Sequence, residues 1–420
     1  MTSTEPALIV VMHDGFYGFG TGAGRSNRSF LRVLCDLPAR SARLTVMPVR
    51  LAPDSAEYNA AWHGETLDLI DQAGGDIVPV DNGTGGQSRF GGLGNFRQAS
   101  ASAAAEIAPI LDHAAQALVV AFDAPFYGLA PLLPARHAAH IVNVARATAA
   151  LHAPCDHERI TWERDGLLAT AQAGGRVAAT SLHVRQHLAD AYGIPPAAIT
   201  DLVNGLIPAE TVPGSDGNGL LPPAARHRFM LAYGRAEQYK GFDDLLDAIA
   251  ILKTAGTPVP HLVLGAVTDG PPLTTYQRHL AHRIETENLD VTLHTSFSPR
   301  LRGLLGHPAL TAVIVPSRAE PFGRIPLEAY QAGASPVVAT TAGGLAEIVA
   351  EGTTGYTASP VDPSSLAAAI TRALAASPAQ RREMLTQGRS LIAARYDYQS
   401  NTAAFLAAVA PWAAGNGQST

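Results

Sequence analysis

The chain has 420 residues, too many for one ordinary domain and enough for two or three that each bury a core. Hydrophobic residues make up 47% and charged residues 16%, which excludes a disordered chain, and no apolar run approaches the ~18 uncharged residues of a membrane helix. A net charge of −6 argues against general nucleic-acid binding, which needs a basic footprint.

The start, MTSTEPALIVVMHDG, has no basic n-region, so a secretory leader is not expected. Short apolar runs then alternate with helical patterns, the signature of parallel sheets with crossover helices. Strands are expected at 7–14, 43–49, 76–81, 117–124, 139–145 and 176–180. Helices fill the gaps, the last of them opening on a Ser181 cap and stopping at Gly193. Cys35 and Cys155 are too few for a disulfide framework or a four-thiolate zinc site, and are expected as small buried residues of a reducing cytoplasm.

Residues 208–226 are rich in Pro, Gly and small polar residues and read as a linker. The alternation restarts with strands at 229–235, 261–267, 291–297, 311–317 and 336–341, and helices at 242–255, 274–288 and 325–332. From Ser364 to Trp412 the pattern is helical almost throughout. The expected fold class is α/β: two Rossmann-like doubly wound domains, 1–207 and 227–395, facing across a cleft. A helix in 396–420 would pack back on the first domain. Ligand sites in such sheets lie at the carboxyl ends of strands.

Four groups of residues sit just after strands. The first is HDGFYGFGTGAGRSN, whose Gly20, Gly22 and Gly24 lead into a helix and suit close approach of backbone N–H groups to an anion, or simply a tight turn. In the second, Arg235 ends a strand and Lys240 precedes a helix, two cations suited to a diphosphate or to a solvated loop. Lysine occurs only at Lys240 and Lys253 in a chain whose arginine, alanine and glycine usage resembles a GC-rich bacterial coding bias, which marks Lys240. The third is Glu320, then Pro321-Phe322-Gly323, then Glu328 a turn into a helix. These carboxylates suit sugar hydroxyls or acid–base work, and Glu328 is also an ordinary helix former. The fourth is Gly343-Gly344 with Glu347 in a first helical turn, where it would also cap the helix.

In this order the motifs resemble glycosyltransferase family 4, of the glycosyltransferase-B fold, from SLHVRQHLADAYGIPPAAITDLVNGL to near Tyr398. The resemblance implies a retaining transfer from a nucleotide-diphosphate sugar. Arg235 and Lys240 would neutralise the departing diphosphate, Glu320 would hold the donor sugar and Glu328 the ribose. Backbone amides at Phe322-Gly323, Gly343-Gly344-Leu345 and Gly22-Ala23-Gly24 would contact sugar or phosphate. It also implies a histidine after the fifth or sixth strand facing the transferred sugar, for which His152 is the candidate. Arg324 departs from the family's small or aliphatic residue and would meet an extra charge on the donor or acceptor, or point away. Asp14, Arg89 and Arg97, the last two from the glycine-rich 81–97 segment, are assigned to the acceptor, with that segment read as a loop that orders on binding.

No metal or other cofactor is expected, because no Asp-x-Asp is present and the two cations take that role. The N-terminal half has no basic cluster, which favours a small soluble acceptor in bacterial secondary metabolism and the cytoplasm over a lipid or wall polymer, without stable membrane insertion. The rivals are a lipid or polysaccharide acceptor, an epimerase or phosphorylase on the same fold, and a non-catalytic nucleotide-sugar-binding protein. A dehydrogenase is disfavoured by the glycine spacing.

Overall fold

The computed structural model describes residues 5–18, 21–37, 42–208, 210, 217–268, 272–334 and 336–413. Gly20 and part of the 208–226 segment lie outside them. The chain forms two compact units, Met1–Asn204 with Asp397–Thr420, and Gly205–Tyr396.

In the first unit the strands are β1 (Ala7–Met12), β2 (Arg43–Pro48), β3 (Asp76–Ile77), β4 (Ala117–Phe122), β5 (Ile141–Ala145), β6 (Arg176–Ala179) and β7 (Ile199–Asp201). Every pairing is parallel, in the order β3-β2-β1-β4-β5-β6-β7. The helices between them are α1 (Gly22–Cys35), α2 (Ala60–Gln72), α3 (Leu93–Leu111), α4 (Ala135–Ala138), α5 (Ala149–His152), α6 (His157–Gln172) and α7 (Leu182–Asp190). β1 is buried along its whole length, the reason it reads as an unbroken apolar run. Ile9, Val11, Val119 and Ala121 pack with Ala99, Ala103 and Ile107 of α3. On α7 the Ser181 hydroxyl accepts from Val184 N at 3.0 Å, and Gly193 follows at φ 67°.

The second unit repeats the plan with β8 (Phe229–Arg235), β9 (His261–Thr268), β10 (Val291–Ser296), β11 (Leu310–Val315), β12 (Val337–Thr340) and β13 (Tyr356–Ala358). Its all-parallel order is β10-β9-β8-β11-β12-β13. Its helices are α8 (Phe242–Thr254), α9 (Thr275–Thr286), α10 (Pro299–Gly303), α11 (Arg324–Ala332), α12 (Pro363–Ala375) and α13 (Pro378–Arg395). The core joins Leu245, Leu246 and Ile249 of α8 to Leu366 and Ile370 of α12 and to Leu262 and Leu264 of β9. α14 (Tyr398–Val409) belongs to the first unit, where Phe405 meets Phe30 of α1 edge-on at 6.2 Å and Asn401 donates to the Val203 carbonyl at 3.1 Å.

In both sheets the strand order reverses beside the first strand, between β1 and β4 and between β8 and β11. These are the positions at which open α/β sheets hold ligands. Four details differ from the sequence reading. The strand expected at 76–81 is only Asp76–Ile77, with an isolated Val49–Val80 bridge beyond Pro79, which has no N–H to donate. β7 and β13 have three residues each, too few to show a period. Gly343–Glu347 is a 3-10 turn rather than a helix start. Cys155 is exposed and Cys35 half-buried, so neither is the buried residue expected.

Candidate functional site

In the second unit the sharpest constellation assembles at the carboxyl ends of β8 and β11. Arg235 closes β8, and its guanidinium donates to the Tyr239 hydroxyl. One turn on, Lys240 Nζ lies 2.5 Å from Glu320 Oε2, which also accepts from the Ser317 hydroxyl at 3.2 Å. The backbone fixes this meeting. Gly241 is left-handed at φ 69°, and a Cβ there would stand 2.0 Å from the Pro316 carbonyl oxygen, so only glycine lets the Lys240 turn approach β11 so closely. Arg318 N donates to Tyr239 O at 2.7 Å, and the Arg318 guanidinium forms two 2.7 Å bonds to Asp244 in the first turn of α8. The pairing is bidentate, the strong form of such contacts. Two cations and one carboxylate thus sit on a clamped turn, able to meet an anion and a hydroxyl together.

The Gly-Gly turn packs against the Pro-Phe-Gly bend. A Cβ on Gly344 would come within 2.6 Å of Phe322 Cα and Pro321 O, and one on Gly323, at φ 93°, within 2.5 Å of Leu345 Cδ2. Gly344 N donates to Glu320 O at 2.9 Å and Leu345 N to Ala342 O at 3.2 Å. Both amides, expected on the ligand, are bonded inside the fold, and that of Gly344 holds the Glu320 backbone. In the first-unit loop one of the three amides is likewise bonded internally. Gly24 N is taken by the Thr21 hydroxyl at 3.0 Å as the α1 cap, and Gly24 is glycine because a Cβ would lie 2.5 Å from the Asp14 carboxylate.

Glu328 and Arg324 sit together in an internal polar network. Glu328 is fully buried. Its Oε2 accepts from the Tyr233 hydroxyl at 3.0 Å and lies 3.3 Å from Arg302 Nε, while its Oε1 lies 3.4 Å from Arg324 Nε. Arg324, also buried, donates to the Gly205 carbonyl at 2.9 Å and pairs with Glu210, and Arg302 donates to the Glu210 carbonyl at 3.1 Å. An isolated buried guanidinium is prohibitively costly, so Arg324 requires these carboxylates. Arg324, read either as meeting a ligand charge or as pointing away, ties α11 to Gly205 and Glu210.

The first unit builds a second polar cluster at its own reversal point. His13 and Asp14 follow β1, Asp123 follows β4 and Arg146 follows β5. Asp14 accepts from the Thr21 hydroxyl at 2.7 Å and lies 3.5 Å from Arg89 Nε. The 81–97 segment reaches this place by bonding to itself and to Glu57, whose carboxylate accepts from the Ser88 hydroxyl at 3.0 Å and from Arg89 N at 2.9 Å. Asn27 of α1 donates to the Asp14 carbonyl at 3.1 Å and to Asp123 at 3.3 Å, and accepts from Arg146 Nε at 2.8 Å. Arg146 also donates to the Tyr398 hydroxyl at 3.1 Å. Burial pushes the Asp123 carboxyl above its ordinary value, opposed by His13 and Arg146. It pushes the His13 imidazole below its ordinary value, opposed by Asp123 and Asp14.

Of the expected acceptor residues, Asp14 and Arg89 meet here. Arg97 does not: it is exposed on α3 and paired with Glu158 at 2.8 Å. His152 is not at the strand end either. It closes α5, a short helix held by the buried Glu163, which accepts from Ala149 N and the Tyr192 hydroxyl at 2.8 Å each. The residue that directly follows β5 is Arg146. His13, Asp123 and Arg146 were hidden because the first two look like the tails of apolar runs. The post-strand rule that found Arg235 and Glu320 also finds them once strands end at Met12, Phe122 and Ala145.

Among the described residues, no helix is long and apolar enough to cross a membrane. Residues 222–390 match the family model described as glycosyl transferases group 1. The chain is 30% identical over 227 residues to a glycogen synthase of Mycobacterium tuberculosis, covering 52% of this chain and 50% of that one. It is 33% identical over 211 residues to a D-inositol 3-phosphate glycosyltransferase of Frankia alni, covering 47% and 50%. The chain thus spans about half the length of the curated relatives it matches. The Anabaena protein HepE, solved in complex with UDP and glucose, superposes with a TM-score of 0.67 at 18% identity over 96% of this chain and 100% of that one, which shows a shared fold. The glycosyltransferase-B resemblance read from the motifs is borne out.

Proposed function

We propose, from the group 1 glycosyl transferase match over residues 222–390, that the chain moves a sugar from a nucleotide-diphosphate donor to a small soluble acceptor, with retention and without a metal. The observation that carries this reading is the Arg235, Lys240 and Glu320 constellation at the β8/β11 reversal, inside the matched region. In the proposed step the bond from the anomeric carbon to the diphosphate oxygen breaks and a bond to the acceptor oxygen forms on the same face. The acceptor proton passes to the departing diphosphate. Arg235 and Lys240 offset the charge that builds on that leaving group, the largest electrostatic demand of such a transfer. Glu320 holds Lys240 in place and accepts from sugar hydroxyls. Glu328 supports the site from inside α11 rather than from the ligand side.

The test is isothermal titration with UDP, GDP, dTDP and ADP, UDP first because HepE was solved with it. One nucleotide binds, and Lys240→Ala weakens it about 10–100-fold, the loss of one charge-assisted bond. If no nucleoside diphosphate binds, the reading fails. Turnover that vanishes on chelation and returns with a divalent ion overturns the metal-free part.

A further inference from the structure

The first-unit cluster has two properties that packing alone does not explain. Three polar atoms, His13 Nδ1, Asp14 Oδ1 and Arg146 Nη1, are buried with no hydrogen-bond partner. A native fold leaves few such groups, and one cluster holding three of them calls for a reason. The second property is the backbone of Asp123, at φ 71° and ψ 175°. That region is almost exclusive to glycine, and a side chain held there is strained. Neighbours fix the strain: Asp123 N donates to Val144 O at 3.1 Å and Asp123 O accepts from Phe126 N at 3.1 Å. The effect is to aim a carboxylate at His13 Nδ1, 3.7 Å away, and at Asn27. The cluster is not sealed, since Asp123 is 7% and Arg146 6% exposed.

We propose that His13, Asp14, Asp123 and Arg146 form a binding site for a polyol without an anionic group. The inference rests on the transferase reading above, in which this polyol is the acceptor. Charge decides the class. Three carboxylates, on Asp14, Glu57 and Asp123, stand against two guanidiniums, on Arg89 and Arg146. With the His13 imidazole neutral, the form that its burial favours, no positive surplus is left with or without a proton on Asp123, so a phosphate or carboxylate gains nothing by entering. A hydroxyl both donates and accepts. Adjacent hydroxyls can donate to Asp123 and to Asp14 Oδ1, which has only the longer ion contact to Arg89, while accepting from Arg146 Nη1, which has no hydrogen-bond partner.

The experiment titrates the full chain, without nucleotide, with myo-inositol, glucose, N-acetylglucosamine and glycerol, and with myo-inositol 1-phosphate and glucose 6-phosphate. At least one neutral polyol binds saturably, and its phosphorylated form binds at least about tenfold more weakly. Asp123→Asn weakens the polyol about 10–100-fold, as expected for a lost bond to a charged group. Asp123→Gly loses binding yet raises the melting temperature by roughly 2 °C or more, because glycine relieves the strain. Asp123→Ala keeps the strain and shows no such rise, which separates strain relief from carboxylate removal. Tighter binding of the phosphorylated forms overturns the proposal. So does no polyol binding up to about 50 mM, where affinity is negligible, or unaltered affinity in Asp123→Asn. The nucleotide titration on the same sample reports the transferase reading separately, so the two failures are distinguishable.

Discussion

Glu328→Gln separates two roles for the carboxylate that ends the Glu320/Glu328 motif. The substitution keeps the side-chain shape and removes one charge from a buried group of two arginines and two glutamates. Glu328 has no exposed surface, and three partners reach it: the Tyr233 hydroxyl at 3.0 Å, Arg302 Nε at 3.3 Å and Arg324 Nε at 3.4 Å. Arg324 keeps Glu210 and the Gly205 carbonyl, so its charge is only half abandoned. Breaking a buried pair from one side costs about 3–5 kcal/mol, and the remaining partners place the expected loss near the lower end. For a domain of this size that lowers the melting temperature by roughly 6–12 °C. The assay is thermal melting of parent and variant, followed by nucleotide titration well below the transition, where both are folded. The expected outcome is a large drop in melting temperature with nucleotide affinity within about threefold of the parent, under 1 kcal/mol. A parent-like melting curve with affinity reduced tenfold or more would return Glu328 to the ribose and refute the internal role. A companion, Arg324→Met combined with Glu328→Gln, should lose less than the two single losses added, because the double variant leaves fewer uncompensated charges.

Gly344→Ala forces a Cβ to within 2.6 Å of the Phe322 backbone, so it should destabilise by about 1–3 kcal/mol and weaken nucleotide binding by displacing Glu320; a melt and a titration unaltered from the parent would contradict the packing argument. His187 gives a pH test. Burial, then His183, pushes its pKa from 6.5 to about 4, and its Nε2 lies 2.7 Å from the Thr148 hydroxyl. The unfolded chain takes this proton near pH 6.5 and the folded chain only near 4, so stability falls as the pH drops through that window. Solvent screening of a half-buried ring reduces the loss to about 1–2 kcal/mol. Urea midpoints at pH 7 and 4.5 should differ less in His187→Asn than in the parent, and an equal difference in both would rule His187 out. Gly241→Ala would drive a Cβ to 2.0 Å from the Pro316 carbonyl, and the Lys240 turn should then lose its place beside Glu320. Nucleotide affinity should fall at least as far as in Lys240→Ala, whereas a smaller loss would mean that the turn is not what positions the lysine.

The alternation of elements was legible because each strand is buried on both faces and so appears as an apolar block, β1 being the plain case. Glu320 and Lys240 were legible because each follows such a block within a few residues. What the sequence hid is of two kinds. Partners distant in the chain carry no local signal: Glu210 with Arg324, Asn27 with Arg146, and Tyr233 with Glu328 are joined only by the fold. The use of a backbone amide is equally invisible. Gly24 and Gly344 have the spacing of phosphate-contacting glycines, yet each is glycine because a neighbour stands too close for a Cβ, and each N–H is bonded inside the protein.

The two reversal points use one topology for opposite electrostatics. At β8/β11 the charges are paired at short range and remain partly exposed, Lys240 with Glu320 above all. On the proposed function, an incoming diphosphate would exchange one carboxylate partner for another anion there, and little new burial of charge would be needed. At β1/β4 the charges are deeper, Asp14 at 1% exposure, and atoms such as Arg146 Nη1 have no partner. The proposed polyol would supply missing hydrogen bonds there rather than replace existing ones, which would make selection by shape and hydroxyl placement stringent. A site that exchanges ion pairs tolerates variation in the group it holds. A site with unsatisfied buried atoms does not, because each mismatch leaves about 1–3 kcal/mol uncompensated. Specificity should therefore reside mainly in the first unit. Exchanging Asp123, Arg146 or His13 should change which second substrate is accepted, while exchanging Lys240 should scale activity with every second substrate alike.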